Sequence, residues 1–319
     1  MSTVTTKSVI GVDMGGTTIK AGIVLPDGTV RYTNKFPTCA GEGPAKVVQQ
    51  IRLAVQDALS HADGLRIEGI GIGSPGVVDD DGVVKATPNF VDWDEVPLKG
   101  ELVKLFPSIA ISVENDANAA AIAESKFGAG VQYPNFLFVI WGTGVGGGII
   151  LDHKIFRGPT GGAGEIGHVS IDYNGPQCNC GNRGCVEAYV GQRYLSQRTA
   201  QRLQAHPDSR ILQLVGGDIS KIEPVYISQA AHEGDKFARE IFVEAGHLLG
   251  VALAGVMNIM DLRVSIIGGG ISAAGDFVMS AVQESVVAHV LKPLRKDIRV
   301  LPAQLGNEAG LLGAAGLVM

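Results

Sequence analysis

Three of the four cysteines in the chain lie in one glycine-rich segment, residues 164–187, with the sequence GEIGHVSIDYNGPQCNCGNRGCVE. A histidine ten residues before the first of them completes a set of one imidazole and three thiolates. Closed tetrahedral zinc sites use such ligands, and glycine and proline provide the turns that fold a short loop around one ion. The candidate ligands are His168, Cys178, Cys180 and Cys185. The segment therefore predicts a structural zinc site.

Two simpler interpretations of this segment are open. The cysteines could form one disulfide and leave one thiol, but the sequence shows no secretory signal, and cytosolic thiols stay reduced. His168 could be a histidine of the core. The spacing favours the metal, because all three cysteines follow this histidine within 17 residues. Glu165 and Glu187 flank the loop, are not needed as ligands, and are available for another role.

The composition is that of a globular protein: 45% of the 319 residues are hydrophobic, 18% are charged, and the formal net charge is −6. Nucleic acid or an anionic membrane as partner would require a clustered basic excess, so we expect neither. The longest uncharged apolar run, residues 248–257, is about half of what a bilayer span requires. We therefore expect a cytoplasmic protein.

The 44 glycines are grouped, and we expect the groups to mark the chemistry. Residues 13–18 (DMGGTT) and 142–148 (GTGVGGG) each lie between two predicted strands, and a third group, residues 268–270, follows another strand. Free amides and threonine hydroxyls in such turns can donate to phosphate oxygens. A single glycine turn could serve only the shape of a hairpin, but matching turns favour a polyphosphate site. Asp13 could bond to its own turn, or bind magnesium directly or through water.

The order of apolar patterns predicts a mixed α/β protein. A three-stranded meander begins near residue 9, and a strand, turn and strand of similar layout begin again near residue 136, which suggests an internal duplication. Helical patterns include residues 45–59, 115–128, 235–260 and 276–290. Two such halves indicate two α/β domains with a cleft between them.

Six motifs, taken together, resemble the ROK family of sugar kinases and sugar-sensing repressors over almost the whole chain. They are DMGGTTIKAG, GIGSPGVVD, VENDANAAA, WGTGVGGG, GEIGH and CNCGNRGCVE. Within the family, the likeness is greatest to ATP-dependent bacterial glucokinases. The resemblance implies an actin-like ATPase (ribonuclease H-like) fold of two α/β domains with a central cleft. These would be residues 1–119, completed by a C-terminal helix at 305–319, and residues 120–304, which carry the zinc loop.

The resemblance also implies roles for the matching positions. Asp116 would be the catalytic base beside the 6-hydroxyl of a sugar. The other sugar-binding residues would be Gly76, Asn115, Glu165, His168 and Glu187. The phosphates would be held by Asp13, Gly15, Gly16, Thr17, Thr18, Gly142, Thr143 and Gly144, with Gly269 and Gly270 near the adenosine.

Two of these residues have a second interpretation. Asp116 and Asn115 precede an alanine-rich stretch, so either could cap a helix. His168 would have a double role: zinc on one ring nitrogen would fix the tautomer and leave an N–H on the other for a sugar hydroxyl.

The resemblance implies transfer of the γ-phosphoryl group of Mg-ATP to the 6-hydroxyl of glucose, hence a part in glycolysis. Alternatives are kinases for N-acetylmannosamine or N-acetylglucosamine, a polyphosphate donor, a sugar-responsive regulator, or an actin-like ATPase that acts as a binding module. Repressors of the family carry an additional N-terminal domain, whereas eight residues precede the first predicted strand, so we expect an enzyme. Family likeness suggests a homodimer or homotetramer. Pro88 and Asn89 are candidates for the pocket around the sugar C2.

Overall fold

The computed structural model describes residues 6–85, 87 and 90–319. Pro88 and Asn89 lie outside the described residues. The described strands are β1 (Thr6–Met14), β2 (Thr18–Val24), β3 (Val30–Pro37), β4 (Leu65–Ser74), β5 (Val77–Val78), β6 (Val84–Lys85), β7 (Glu95–Val96), β8 (Ala110–Asn115), β9 (Phe136–Trp141), β10 (Val145–Leu151), β11 (Lys154–Phe156), β12 (Val264–Gly268) and β13 (Arg299–Pro302).

The described α-helices are α1 (Pro44–Ser60), α2 (Leu98–Leu105), α3 (Asp116–Phe127), α4 (Glu187–Val190), α5 (Gln192–Leu203), α6 (Arg210–Leu214), α7 (Pro224–His232), α8 (Lys236–Met260), α9 (Asp276–His289) and α10 (Ala309–Gly316). The four helical patterns named above correspond to α1, α3, α8 and α9. The sequence did not indicate β5, β6 and β7, which form a separate sheet, because two residues are too few to show a period.

The two larger sheets have the same strand order. The first is β3-β2-β1-β4-β8 and the second is β11-β10-β9-β12-β13, so each follows the order third, second, first, fourth, fifth among its own strands. In the first sheet β1 to β3 form the expected antiparallel meander, and β4 and β8 are added in parallel. In the second, β9, β12 and β13 are parallel. This repetition agrees with an internal duplication.

Contacts between Cα atoms group the chain into two compact units. Unit 1 comprises Met1–Pro134, Gly148–Gly164 and Gln304–Met319, and unit 2 comprises Asn135–Gly147 and Glu165–Ala303. Unit 1 thus includes the C-terminal helix α10. The division into domains at residues 119 and 120 stays a prediction.

In unit 1 the first sheet is covered by helices, and β4 alternates between glycine and isoleucine over residues 69–73. Ile10 and Val12 of β1 and Ile70 and Ile72 of β4 are buried in one core with α1. Gly11 and Gly71, which point to the opposite face, contact α10. A Cβ on Gly11 would overlap the carbonyl oxygen of Leu311, and a Cβ on Gly71 that of Ala314. These two glycines, which lie outside the three glycine groups named above, therefore serve close packing.

Helix α10 also packs closely on α3. A Cβ on Gly313 would overlap the carbonyl oxygen of Ala119 in α3. Since interiors are close-packed, the backbones of α10 and α3 can approach this closely only because residue 313 has no side chain. Helix α10 is thus fixed between the sheet and α3.

In unit 2 the longest helix, α8, packs against α9. Gly246 and Gly250 of α8 face α9, where a Cβ would lie 2.9 Å from the Val278 oxygen and 2.5 Å from Ser285 Cβ respectively. Helix α8 is long and apolar enough to cross a membrane, but 56% of its most apolar window is buried inside the protein. Such burial is typical of a core helix.

We expect Gly313→Ala to lower the free energy of unfolding by about 2 kcal/mol, because the added methyl overpacks the contact with α3. Urea denaturation followed by circular dichroism measures this change. The control is Gly255→Ala in the interior of α8, where no described heavy atom lies within 4 Å of the added Cβ. We expect the control to gain up to about 1 kcal/mol from helix propensity. A similar change in both variants would contradict the packing role of Gly313.

Candidate functional site

The four predicted metal ligands lie together in unit 2. The ligand atoms of His168, Cys178, Cys180 and Cys185 are all within 4.8 Å of one another. The sulfurs of Cys180 and Cys185 are 3.6 Å apart, and Cys178 Sγ lies 3.8 Å from His168 Nδ1. Tetrahedral geometry with Zn–S bonds of about 2.3 Å places two sulfurs roughly 3.8 Å apart. All four cysteines of the chain are free thiols. The donor set and its spacing fit zinc.

Backbone pairing brings the ends of the loop together. Ser170 and Cys185 form an antiparallel bridge, and the Val186 N–H donates to the Val169 oxygen at 2.9 Å. Gly184, with φ at +70°, allows this approach, because a Cβ there would overlap the Asp172 oxygen. The pairing places Cys185 next to His168. Gly181, with φ at +92°, is a second glycine of the loop in a conformation that favours glycine, although a Cβ there would meet no described heavy atom within 4 Å.

The thiols of the cluster differ in their environment. Burial raises the pKa of Cys185 to about 12 and also raises the pKa of Cys178, whereas a backbone hydrogen bond from Asn182 lowers the pKa of the exposed Cys180. The buried thiols of Cys178 and Cys185 are therefore protonated at neutral pH unless a bound cation displaces the protons. Metal binding must release protons, and metal affinity must fall as the pH falls.

The imidazole of His168 presents its Nδ1 atom to the sulfurs. A metal on Nδ1 would leave Nε2 protonated and able to donate. Glu165 lies one residue before the 3₁₀ turn Ile166–His168, and its backbone oxygen accepts from the His168 N–H at 3.1 Å. The Glu165 side chain is exposed, so its carboxylate is accessible to a ligand.

Glu187 joins the metal loop to the second glycine turn. It begins α4 directly after the loop, and its Oε2 accepts from the Val145 N–H at 2.9 Å. A Cβ on Gly144 would overlap the same oxygen. The Gln192 N–H donates to the Gly142 oxygen at 3.1 Å, which adds a second link. The sequence could not indicate the bond from Val145 to Glu187, because the partners are 42 residues apart.

The first glycine turn lies in unit 1, between β1 and β2. The Gly15 N–H donates to the Thr18 oxygen at 3.0 Å, and Thr38 Oγ1 donates to the Gly15 oxygen at 2.6 Å. Gly16 is exposed. Asp13 is the second-last residue of β1 and lies beside the start of α10, where a Cβ on Gly310 would lie 2.6 Å from the Asp13 carboxyl carbon. Burial raises the pKa of Asp13, and the charge of Lys20 opposes this effect. A nearby cation would favour the ionised form.

Asn115 and Asp116 lie at the junction of β8 and α3. Asn115 is the N-cap: its Oδ1 accepts from the N–H groups of Ala117 and Asn118 at 2.9 and 3.0 Å. Its Nδ2 donates to the Gly76 oxygen at 3.0 Å. Asp116 is the first residue of the helix and is exposed. The capping alternative therefore applies to Asn115, and the carboxylate of Asp116 lies at the positive end of the α3 dipole.

The third glycine group follows β12 in unit 2. Gly269 has φ at +94°, and a Cβ there would overlap the Trp141 backbone. Gly270 is exposed, and a Cβ there would have no described heavy atom within 4 Å. A cavity of about 480 Å³ opens beside this segment, lined by residues that include Ser272, Gly275 and Asp276.

The predicted residues thus fall into two groups. Unit 1 contains Asp13, Gly15, Gly16, Thr17, Thr18, Gly76, Asn115 and Asp116. Unit 2 contains Gly142, Thr143, Gly144, Glu165, His168, Glu187, Gly269, Gly270 and the three cysteines of the loop. The sequence analysis named Glu187 as a sugar-binding residue but did not foresee its bond with the Val145 N–H. It did not single out Glu114, which accepts from the Asn115 N–H.

The chain has an actin-like ATPase fold: its two five-stranded sheets have the same strand order, and each has a glycine turn between its first two strands. The chain belongs to the ROK family, whose model matches residues 9–319. It is 39% identical over 312 residues to a glucokinase of Streptomyces coelicolor, covering 97% of this chain and 96% of that protein. A glucokinase of Thermotoga maritima is 36% identical over 310 residues, with the same coverage.

A solved structure of a ROK family glucokinase from Streptomyces griseus, in complex with glucose and AMPPNP, is similar to this chain with a TM-score of 0.82. The two are 38% identical, and the match covers 98% of this chain and 99% of that one. The family and fold expected from the motifs are confirmed.

We expect Cys185→Ser to reduce bound zinc from about one ion per chain to a small fraction, because a buried thiolate ligand is lost. The melting temperature should fall with it, since metal binding is coupled to folding of the loop. Elemental analysis and thermal unfolding measure both effects. Cys39→Ser is the control, because Cys39 is a free cysteine outside the cluster. Equal zinc contents in the variant, the control and the parent protein would exclude Cys185 as a ligand.

Proposed function

We propose that the protein is an ATP-dependent glucokinase, which transfers the γ-phosphoryl group of ATP to the 6-hydroxyl of glucose. The observation that carries this proposal is the likeness, at 36–39% identity over nearly the full chain, to proteins named glucokinase. One solved relative binds glucose and AMPPNP. The sugar is thus a small-molecule partner, and ATP is the donor.

The proposed reaction needs an oriented hydroxyl. We assign Asp116 as the group that accepts the proton of the 6-hydroxyl and aims its oxygen at phosphorus. Phosphoryl transfer has a loose transition state, so orientation matters more than base strength. The position of Asp116 supports this role, because its Oδ1 accepts from the Ala117 N–H at 2.8 Å and its carboxylate lies at the positive end of the α3 dipole.

The remaining sugar hydroxyls are assigned to groups of complementary character. Glu165 and Glu187 would accept hydrogen bonds from hydroxyls, and His168 would donate one from Nε2. Such a set rejects analogues that lack a hydroxyl, since an unpaired buried acceptor is costly. Asn115 and the backbone at Gly76 would complete the site, and their mutual hydrogen bond supports their acting together.

The phosphates are assigned to the two glycine turns. Residues 13–18 and 142–144 offer backbone amides and threonine hydroxyls, and the exposure of Gly16 supports access. Gly269 and Gly270 would lie near the adenosine. Magnesium, when bound, would neutralise phosphate charge, and Asp13 is its candidate ligand, directly or through water. Zinc, held by the Cys₃His cluster, would orient His168 and take no part in the transfer.

The glycine turn at 142–144 and the sugar site would be linked by one carboxylate. Glu187 holds the Val145 N–H with Oε2, which leaves Oε1 for a sugar hydroxyl. Ordering of Glu187 by either substrate would therefore favour the arrangement that the other requires. A cytoplasmic location and a homo-oligomeric state belong to the proposal as expectations.

The proposal is tested by sugar-dependent release of ADP from ATP. Glucose, mannose, fructose, N-acetylmannosamine and N-acetylglucosamine are compared, and polyphosphate replaces ATP in a parallel series. We expect the highest kcat/KM with glucose and ATP. A preference for an N-acetyl sugar would indicate the alternative kinase, and absence of sugar-dependent ADP release would reject the enzyme.

We expect Asp116→Asn to lower kcat by about 10²- to 10⁴-fold, because the hydroxyl loses its proton acceptor. The amide is nearly isosteric, so zinc content and melting temperature should not change. Steady-state kinetics with glucose measure the effect, and both structural measurements serve as controls. Turnover near that of the parent protein would remove Asp116 from the proposed mechanism.

A further inference from the structure

A buried ion pair lies directly behind the junction of β8 and α3. Glu114, the residue before the N-cap Asn115, is 0% exposed. Its Oε2 accepts from Arg157 at both Nε (2.6 Å) and Nη2 (2.5 Å). Arg157 follows β11, and its side chain is 28% exposed. The fully buried partner is thus the carboxylate.

The other oxygen of this carboxylate is bonded to the site segment itself. Oε1 of Glu114 accepts from the Asn115 backbone N–H at 2.9 Å and from Asn118 Nδ2 at 3.1 Å. Asn118 is 1% exposed and lies in the first turn of α3. Four N–H groups therefore converge on one carboxylate, and two of them belong to the segment that presents Asp116.

The free energy of a carboxylate buried in this position depends strongly on its hydrogen-bond donors. Burial of an ionised carboxylate is unfavourable unless several donors surround it, and removal of one partner leaves an uncompensated charge. The Asn115 N–H cannot move far without breaking this set. The Glu114 carboxylate therefore fixes the orientation of the Glu114–Asn115 peptide. The Asn115 side chain is fixed separately, by its hydrogen bond to the Gly76 oxygen.

Arg157 connects a second segment to the same carboxylate. It begins the loop 157–164, which leads to Glu165. Within this loop Gly161 packs on the Val78 backbone, where a Cβ would overlap the Val78 oxygen. Arg157 Nη2 also approaches the Val113 oxygen at 3.4 Å. The pair thus ties the loop to β8, beside the residues that precede α3.

We propose that Glu114, held by Arg157, is a positioning residue for the phosphoryl transfer, which acts by fixing the peptide N–H of Asn115 and hence the carboxylate of Asp116. The inference rests on the proposed role of Asp116. Glu114 does not touch the substrate. A displacement of a catalytic group by about 1 Å can lower a rate by about 100-fold, so loss of this anchor should appear in kcat.

The first test is Glu114→Gln. Glutamine keeps the shape but offers one acceptor and one donor where only donors converge. We expect kcat to fall about 10- to 100-fold, while the KM values for glucose and ATP change little. The matched control is Glu124→Gln in α3. Glu124 is also 0% exposed and accepts from the N–H groups of Ala129, Gln304 and Leu305. The control should lose stability and keep its kcat per folded molecule.

The second test is a double-mutant cycle with Asp116→Asn. If Glu114 acts through Asp116, Glu114→Gln should have almost no further effect on kcat in that background. An equal fold-loss in both backgrounds, or an unchanged kcat in the single variant, would overturn the proposal. Failure of the proposed role of Asp116 gives a different result, because the Asp116→Asn variant alone would then keep the kcat of the parent protein.

A third variant covers the case in which Glu114→Gln does not fold. Arg157→Lys keeps the charge but loses the forked pair of N–H donors. We expect a smaller fall in kcat that also disappears in the Asp116→Asn background. Unchanged kcat in a folded Arg157→Lys protein with a disrupted ion pair, detected by loss of thermal stability, would reject the positioning role.

Discussion

The structure of unit 1 depends on a steric constraint, the absence of side chains where α10 meets the sheet and α3. Gly11 and Gly71 let α10 lie on β1 and β4, and Gly313 lets it lie on α3. The same helix begins beside Asp13, and α3 begins with Asp116. One close-packed helix therefore sets the positions of the first glycine turn and of the proposed catalytic carboxylate. Small residues here are as necessary as the polar residues that they position.

In unit 2 a comparable role belongs to hydrogen bonds and not to packing. The paired segments of the metal loop place Cys185 beside His168, and two residues later Glu187 reaches the glycine turn at Val145. Glu187 thus connects the metal cluster, which it follows by two residues, to the glycine turn that we propose as a phosphate site. Burial raises the pKa of Cys178 and of Cys185, so these sulfurs become metal ligands only as they lose their protons.

The sequence predicted the longer elements and the metal cluster well, for identifiable reasons. Helices such as α1 and α8 span many periods, and the four ligands lie within one short loop. It did not predict β5 to β7, which are too short to show a pattern. The sequence could not distinguish packing glycines such as Gly71 from turn glycines such as Gly16. A side chain at residue 71 would overlap α10, whereas one at residue 16 would meet no described heavy atom within 4 Å, and the letter G is the same in both cases. Pairings across long separations, such as Glu114 with Arg157, have no local signal.

The place of α10 in unit 1 has a consequence for synthesis of the protein. Strands β1 to β4 leave the ribosome long before residues 309–316, and until then Gly11 and Gly71 lack the helix that packs on them. The meander and α1 can assemble early, but the first compact unit is completed only when nearly the whole chain has been translated. Both segments of unit 2, Asn135–Gly147 and Glu165–Ala303, precede α10 in the chain, so this unit can be completed without that helix. The unit that contains the first strand of the chain is therefore also the unit whose last element is translated last.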